Sequence, residues 1–223
     1  MDASPIITLT DMEELAAERL DPHWREYFAG GAGSERTLRE NIAAFGGYRL
    51  RQRVLCGIES VSTAVTVLGH ELAMPVLVAP VAYMRRAHED GEEGMARAAA
   101  AVGAGMCLST FATTSPAAIA ATAPGLARFL QVYVYRDRGV TDEVIAMAVD
   151  AGFSGVFLTV DLPLSAPAIA SAASRGSSPR TIYRWSCLQG NVASATIRPC
   201  PSIQRSTGAT SSVFVGLSRS PWS

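Results

Sequence analysis

Three neutral hydrogen-bonding side chains stand at corresponding places in the middle of this sequence. Ser109 closes the run GMCLS, Gln131 sits in FLQV just ahead of Tyr133, and Thr159 ends GVFLT. Serine, glutamine and threonine each donate and accept hydrogen bonds, which suits the rim of a flat heterocycle that alternates carbonyls with ring nitrogens. A metal centre would call for histidines or carboxylates there. Pro80, Val81 and Ala82 occupy the same place after a further run, MPVLVAP. Other residues invite a chemical reading and receive a plainer one. His88, in RAHEDGE, is read as serving a loop or helix start rather than as a base. Tyr27 alone reads as a packing aromatic with its hydroxyl in water. The glycines of GGAG mark a turn, because they do not follow a strand of a βαβ unit as phosphate-cradling glycines do.

The elements that must position these residues form a repeat. A short apolar run is followed by a small polar turn and then an alanine-rich helix: Met74 to Pro80 by Gly91 to Val102, Gly105 to Ser109 by Ser115 to Ala121, Phe129 to Val132 by Thr141 to Ala151. Gly155 to Val160 is a fourth run with nothing comparable after it. Continuous apolar runs signal strands covered on both faces, hence a parallel sheet. Four strands and three helices are about half of an eightfold barrel, whose usual length is ~250 residues. The chemistry of such barrels sits at the C-terminal strand ends, the rule that singles out the positions above. Upstream, TLTDMEELAAER predicts a helix capped by Thr10 or Asp11, and Pro22 suits the first turn of another. Gly30, Gly31 and Gly33 break the chain, Ser34 to Asn41 restarts a helix, and YRLRQRVL and TAVTVLG read as short strands.

Composition narrows the class. The 223 residues are 48% hydrophobic and 17% charged with a net charge of −1, which excludes a disordered chain and offers no electrostatic attraction for nucleic acid. The charge is unevenly placed: residues 1 to 161 hold all 20 acidic residues and net −7, whereas residues 162 to 223 net +6. All 19 basic residues are arginine, which we read as coding bias. The longest apolar stretches fall well short of the ~20 residues of a spanning helix. Cys56, Cys107, Cys187 and Cys200 lack CxxC spacing and a histidine cluster, so neither zinc nor a disulfide framework is expected, and a reducing cytoplasm fits.

The blocks YFAGGAGSERTLRENIAAF, PVLVAPVAYMRRAHEDGE, MCLSTFATTS, FLQVYVYRDR and LTVDLP, in this order up to about Pro163, resemble the FMN-dependent 2-hydroxy-acid oxidizing family of glycolate, lactate and mandelate oxidases and dehydrogenases. The resemblance implies an α/β fold of (β/α)8 barrel type with FMN as cofactor and a small 2-hydroxy acid as substrate. It implies that Pro80, Val81 and Ala82 lay their backbone along the flavin and that Ser109, Gln131 and Thr159 hydrogen-bond it. Tyr27 and Tyr133 match two tyrosines that contact the substrate's carboxylate and the reacting centre. Tyr83, after APVA, is closer to the hydroxymandelate-oxidizing members. Other flavin barrels fit less well, because of the Tyr27 block and the LTVD strand.

The resemblance breaks after Pro163. The family continues with Leu-Gly-x-Arg, where an arginine helps hold the substrate carboxylate; here Leu164 is followed by SAPAIAS, with Ala168 in that place. A lysine near the flavin, a base histidine with its arginine, and the phosphate-holding loops have no counterpart, and the chain contains no lysine at all. Serine makes up 14 of the last 62 residues and 7 of the first 161. The expected organisation is therefore a half barrel over 1–164 and an irregular tail over 165–223, with little or no turnover. The alternative is a non-catalytic remnant or interaction protein, and self-association into a homo-oligomer is one way to cover the open edges. A frameshift is the hypothesis that explains the break in one event: one choice of codons for Ser165 to Ala173, read one frame over, encodes Gly-Ala-Arg-Asp-Arg-Glu-Arg-Arg and restores the arginine pattern after Leu164. Resequencing the coding DNA is expected to reveal a single-base shift near codon 165 that opens a long frame with lysine and histidine motifs. A locus without such a frame ends the hypothesis.

Overall fold

The computed structural model describes residues 6–160 and, as backbone, 212–216. Leu162 to Leu164, Ala168, Cys187, Cys200 and the break expected at Ser165 lie outside the described residues. Of the described residues, Ile6 to Gly57 belong to one compact unit, and Ile58 to Val160, with Ser212–Gly216, to another.

In the first unit, helix α1 (Leu9–Arg19) is capped by Thr8 rather than by Thr10 or Asp11. Thr8 Oγ1 accepts from Asp11 N at 3.1 Å while Asp11 Oδ2 accepts from Thr8 N at 2.7 Å, a reciprocal capping box. Asp11 is thus the third helical residue, and the backbone N–H groups of Ile7 and Thr8 hold its carboxyl below the usual carboxylate range. Helix α2 (Pro22–Ala29) starts as Pro22 predicts, with Asp21 accepting from His23 N at 2.9 Å. Helix α3 (Arg36–Ala44) begins two residues later than expected, behind a left-handed Glu35 with φ 58°. YRLRQRVL forms no strand. Alternation makes a strand only where an edge is available to pair with, and this segment is exposed, with Leu50 at 101% and Leu55 at 102%.

In the second unit, β1 (Val65–Val67) and β2 (His70–Leu72) form an antiparallel hairpin turned at Leu68 and Gly69, both with positive φ. The first strand of that hairpin lies within TAVTVLG; the second was not expected. Four parallel strands follow in chain order, β3 (Leu77–Val78), β4 (Gly105–Leu108), β5 (Arg128–Val132) and β6 (Gly155–Thr159). Between them run α4 (Gly91–Ala101), α5 (Pro116–Thr122) and α6 (Arg138–Asp150), so the repeat read from the sequence is the βα alternation of an incomplete barrel.

Period two along these strands divides the core. Met106, Leu108, Leu130, Val132 and Val156 pack with Ala96, Ala99, Ile119, Val144 and Ala148 of the helices. Cys107 and Phe129, with Phe157 beside them, turn the other way and pack with Leu72, Val65 and Val67 of the hairpin. Both sheet faces are therefore covered, which is why the strands read as unbroken apolar runs. The hairpin is further tied to the start of β6, His70 Nε2 lying 2.7 Å from Ser154 Oγ.

One correction concerns the tail. Ser212–Gly216 is not irregular: it forms β7, antiparallel to β6, with Ser212 opposite Thr159 and Gly216 opposite Gly155. The physical reason is the open edge of β6, whose unpaired N–H and C=O groups accept any extended segment that reaches them.

Candidate functional site

The C-terminal ends of β4, β5 and β6 set the sequence-selected polar groups side by side. The face that carries Cys107, Phe129 and Phe157 carries, two residues on, Ser109, Gln131 and Thr159. Each strand therefore presents an apolar group below and a polar one at its open end. Ser109 and Gln131 are buried, at 5% and 4% exposure, and Thr159 is half-buried.

Hydrogen bonds join these ends into one row. Gln131 Nε2 donates to Thr159 Oγ1 at 2.8 Å, and Gln131 Oε1 accepts from Thr110 N at 3.2 Å. Thr110 Oγ1 donates to the main-chain oxygen of Gln131, and Ser109 Oγ accepts from Phe111 N at 3.1 Å, closing the turn after β4. The Gln131 amide is thereby oriented from both sides, which assigns its oxygen toward β4 and its nitrogen toward β6. Below the row, burial pushes the Cys107 thiol up to about 12, so this cysteine is an inert core side chain.

Pro80, Val81 and Ala82 follow β3, with Val81 37% exposed. Beyond them the loop turns at Tyr83, whose backbone is left-handed at φ 59° and ψ 39° and whose N–H donates to Phe111 O at 3.1 Å. A bulky residue there is strained and must be held by its surroundings. The Tyr83 ring stacks on Phe111 at 6.3 Å and 12°, and Phe111 stacks on Tyr133 at 5.2 Å and 27°. Three aromatic rings from three successive strand ends thus form one ladder beside the polar row. Tyr135 is buried behind it; burial first, and then Tyr133 and Tyr83, push its phenol up to about 12.

Two contributors went unrecognised in the sequence. Phe111 joins Tyr83 to Tyr133, and only the βα turn shows it. Glu92 is a wholly buried carboxylate at the start of α4, 0% exposed. It accepts from Met84 N at 3.1 Å, Thr113 N at 2.7 Å, Thr113 Oγ1 at 2.5 Å and Thr114 Oγ1 at 3.1 Å. Its signal was available: Glu92, Ala96 and Ala99 recur at i, i+4 and i+7, so the acid lies on the inward stripe of its helix.

Of the remaining candidates, His88 takes the plainer reading. His88 Nδ1 accepts from Asp90 N at 3.2 Å, just ahead of α4. Tyr27 is on α2 in the first unit, 49% exposed, with its ring edge-on to Trp24 and Phe28 at 5.6 and 5.3 Å. That unit also has a cavity of about 480 Å³ lined by residues of α1 and α2 including Glu13, Glu14, Arg25 and Phe28, and by none of the candidate site residues. Among the described residues no group of three metal-ligating side chains occurs and no helix is long and apolar enough to cross a membrane.

Comparison with known proteins places this geometry in context. The model of the FMN-dependent dehydrogenase family matches residues 16–203, a span that runs past Pro163 into the tail. Glycolate oxidase 5 of Oryza sativa subsp. japonica is 42% identical over 158 residues, covering 71% of this chain and 42% of that protein. The glycolate oxidase of Spinacia oleracea is 40% identical over the same length and coverage. Among solved structures, a mandelate oxidase superposes with a TM-score of 0.74 at 30% identity, over 85% of this chain and 52% of its own. The chain spans less than half the length of the curated relatives it matches.

Proposed function

The chain belongs to the FMN-dependent dehydrogenase family, and on that premise we propose that its strand ends bind FMN and that the site so formed is built for the oxidation of a small 2-hydroxy acid to its 2-oxo acid. The observation that supports this best is the row Ser109, Gln131, Thr159, three neutral donor–acceptor groups on one face at adjacent strand ends, with the Gln131 amide bonded to Thr159 and to the backbone N–H of Thr110 beside Ser109.

The row suits the ring edge in donor count. The bonds described use one of the two amide hydrogens of Gln131 and treat Ser109 and Thr159 as acceptors, so the second amide hydrogen and the two hydroxyl hydrogens supply donors to carbonyls and ring nitrogens. Pro80, Val81 and Ala82 lend backbone along the ring. Tyr133, held in the aromatic ladder, meets the reacting centre. When bound, FMN supplies the two-electron acceptor that no side chain can provide.

Taking the hydroxyl proton requires a base, and clamping the carboxylate requires guanidinium groups. All three histidines are accounted for elsewhere: His23 opens α2, His70 pairs with Ser154 at the far end of β6, and His88 caps a turn. We therefore read the 223-residue chain as a flavin-binding half of the site with negligible turnover of its own. The second reading, a non-catalytic remnant or interaction protein, predicts no flavin on the chain. A cytoplasmic setting goes with the free, unbridged Cys56 and Cys107.

Flavin absorbance of the purified chain tests this reading. Stoichiometric FMN is expected on the wild type, and Gln131→Leu is expected to weaken binding about tenfold, from the lost hydrogen bond to the ring and the lost bonds that orient Thr159 and the turn at Thr110. A colourless wild-type chain that takes up no added FMN rejects it.

A further inference from the structure

We infer that Glu92 is the positioning residue of this site, a hydrogen-bond staple whose four donors, rather than its charge, set the loop after β3 against the loop after β4. The inference rests on the flavin-binding reading for its consequence and on geometry for its substance.

The carboxylate divides its work between its two oxygens. Oε1 accepts both backbone donors, Met84 N at 3.1 Å from the first loop and Thr113 N at 2.7 Å from the second. Oε2 accepts both hydroxyls, Thr113 Oγ1 at 2.5 Å and Thr114 Oγ1 at 3.1 Å. The two loops carry all that the site needs from β3 and β4. Met84 directly follows Tyr83, and Thr113 stands two residues beyond Phe111. With Tyr83 N bonded to Phe111 O, the left-handed turn at Tyr83 is held on both sides, by Phe111 before and by Glu92 after. Pro80 to Ala82 and Ser109 are set by those same turns.

This division of labour makes a chemical prediction. Glutamine placed with its oxygen at Oε1 keeps both backbone bonds, and its NH₂ group can donate to the two threonine hydroxyls, which turn to accept. Glu92→Gln therefore preserves the staple. Methionine has the same length and helix preference but leaves two buried backbone N–H groups unpaired. Aspartate keeps the charge and is one methylene short of spanning both loops.

The experiment uses the full 223-residue chain and two readouts. Near-UV circular dichroism without flavin reports aromatic packing, to which the Tyr83, Phe111 and Tyr133 ladder contributes, and FMN titration followed by flavin fluorescence reports the site. Glu92→Gln is expected to match the wild type in near-UV signal and to bind FMN within about threefold, whereas Glu92→Met and Glu92→Asp are expected to lose the ladder's part of the near-UV signal, retain far-UV helix content and bind about tenfold or more weakly. Val144→Ala, a core truncation on α6, controls for general destabilisation and is expected to leave both readouts in place. If Glu92→Met does not fold, Thr113→Val removes one hydroxyl arm and carries the same test at smaller amplitude.

Equal loss in Glu92→Gln and Glu92→Met would overturn the staple in favour of the charge. An unchanged ladder in Glu92→Met, or equal FMN loss in Val144→Ala, would overturn it altogether. A wild-type chain that binds no FMN defeats the functional reading alone, because the near-UV comparison still decides the role of Glu92.

Discussion

Mixed with FMN and then with glycolate, lactate or mandelate, the purified 223-residue chain is expected to show no substrate-dependent bleaching of the flavin bands. The expectation follows from what a hydroxy-acid oxidation demands beyond a bound ring. A positioned base contributes typically ~10² to 10⁴ in rate, and charge-assisted clamps on the carboxylate give much of the orientation. No histidine of this chain stands at the strand ends with Ser109, Gln131 and Thr159, and there is no lysine to act in its place. Tyr133 is fixed by stacking on Phe111, and the neighbouring Tyr135 is a phenol pushed up to about 12, which makes it a poor acceptor of protons at neutral pH. Anaerobic stopped-flow absorbance makes the measurement, with the family's oxidases as positive controls. Bleaching at a rate within about a hundredfold of theirs would show that the chain has a base we have not identified.

Phe129→Ala is expected to unfold the second unit at ordinary temperature or lower its melting midpoint by on the order of 12 °C or more. Phe129 is 0% exposed, and its ring meets His70 at 5.6 Å and Phe157 at 5.7 Å, each nearly perpendicular. It joins the hairpin of β1 and β2 to the sheet in the smaller of the two core clusters, with Leu72, Cys107 and Ala127 around it. Removing a buried phenylalanine costs about 3 to 5 kcal/mol, a large part of the roughly 5 to 15 kcal/mol by which a domain is stable. The same change withdraws the floor beneath Gln131, two residues along the same face. Thermal unfolding followed by far-UV circular dichroism decides it: a shift of only a few degrees would mean that the hairpin closes over the cavity or that the cluster contributes little.

Much of the architecture was legible before any coordinates. The runs MPVLVAP, GMCLS, FLQV and GVFLT became the parallel strands, and the helices between them began within a few residues of the expected places, because strands buried on both faces and helices packed on one of them leave unmistakable hydrophobic patterns. The capping of α1 was misread by two or three residues because Thr8, Thr10 and Asp11 all cap well in isolation, and only the reciprocal pairing of Thr8 with Asp11 selects one. YRLRQRVL failed for the opposite reason: its alternation fits a strand, but among the described residues no neighbour pairs with it. The five residues of β7 have little strand patterning around them and owe their conformation to the open edge of β6.

The sequence by itself determined the βα repeat, the residues at its strand ends and hence the kind of ring those ends suit, since periodicity and residue type are local properties that survive without knowledge of the partner. What only the tertiary structure decided was alignment. The register of β4, β5 and β6 put Ser109, Gln131 and Thr159 on one face, the turns after β3 and β4 stacked Tyr83, Phe111 and Tyr133, and a buried carboxylate at residue 92 bound those turns together. Each of these depends on atoms far apart in the chain meeting at hydrogen-bond or van der Waals distance, and such distances are set by packing, which no short stretch of sequence contains.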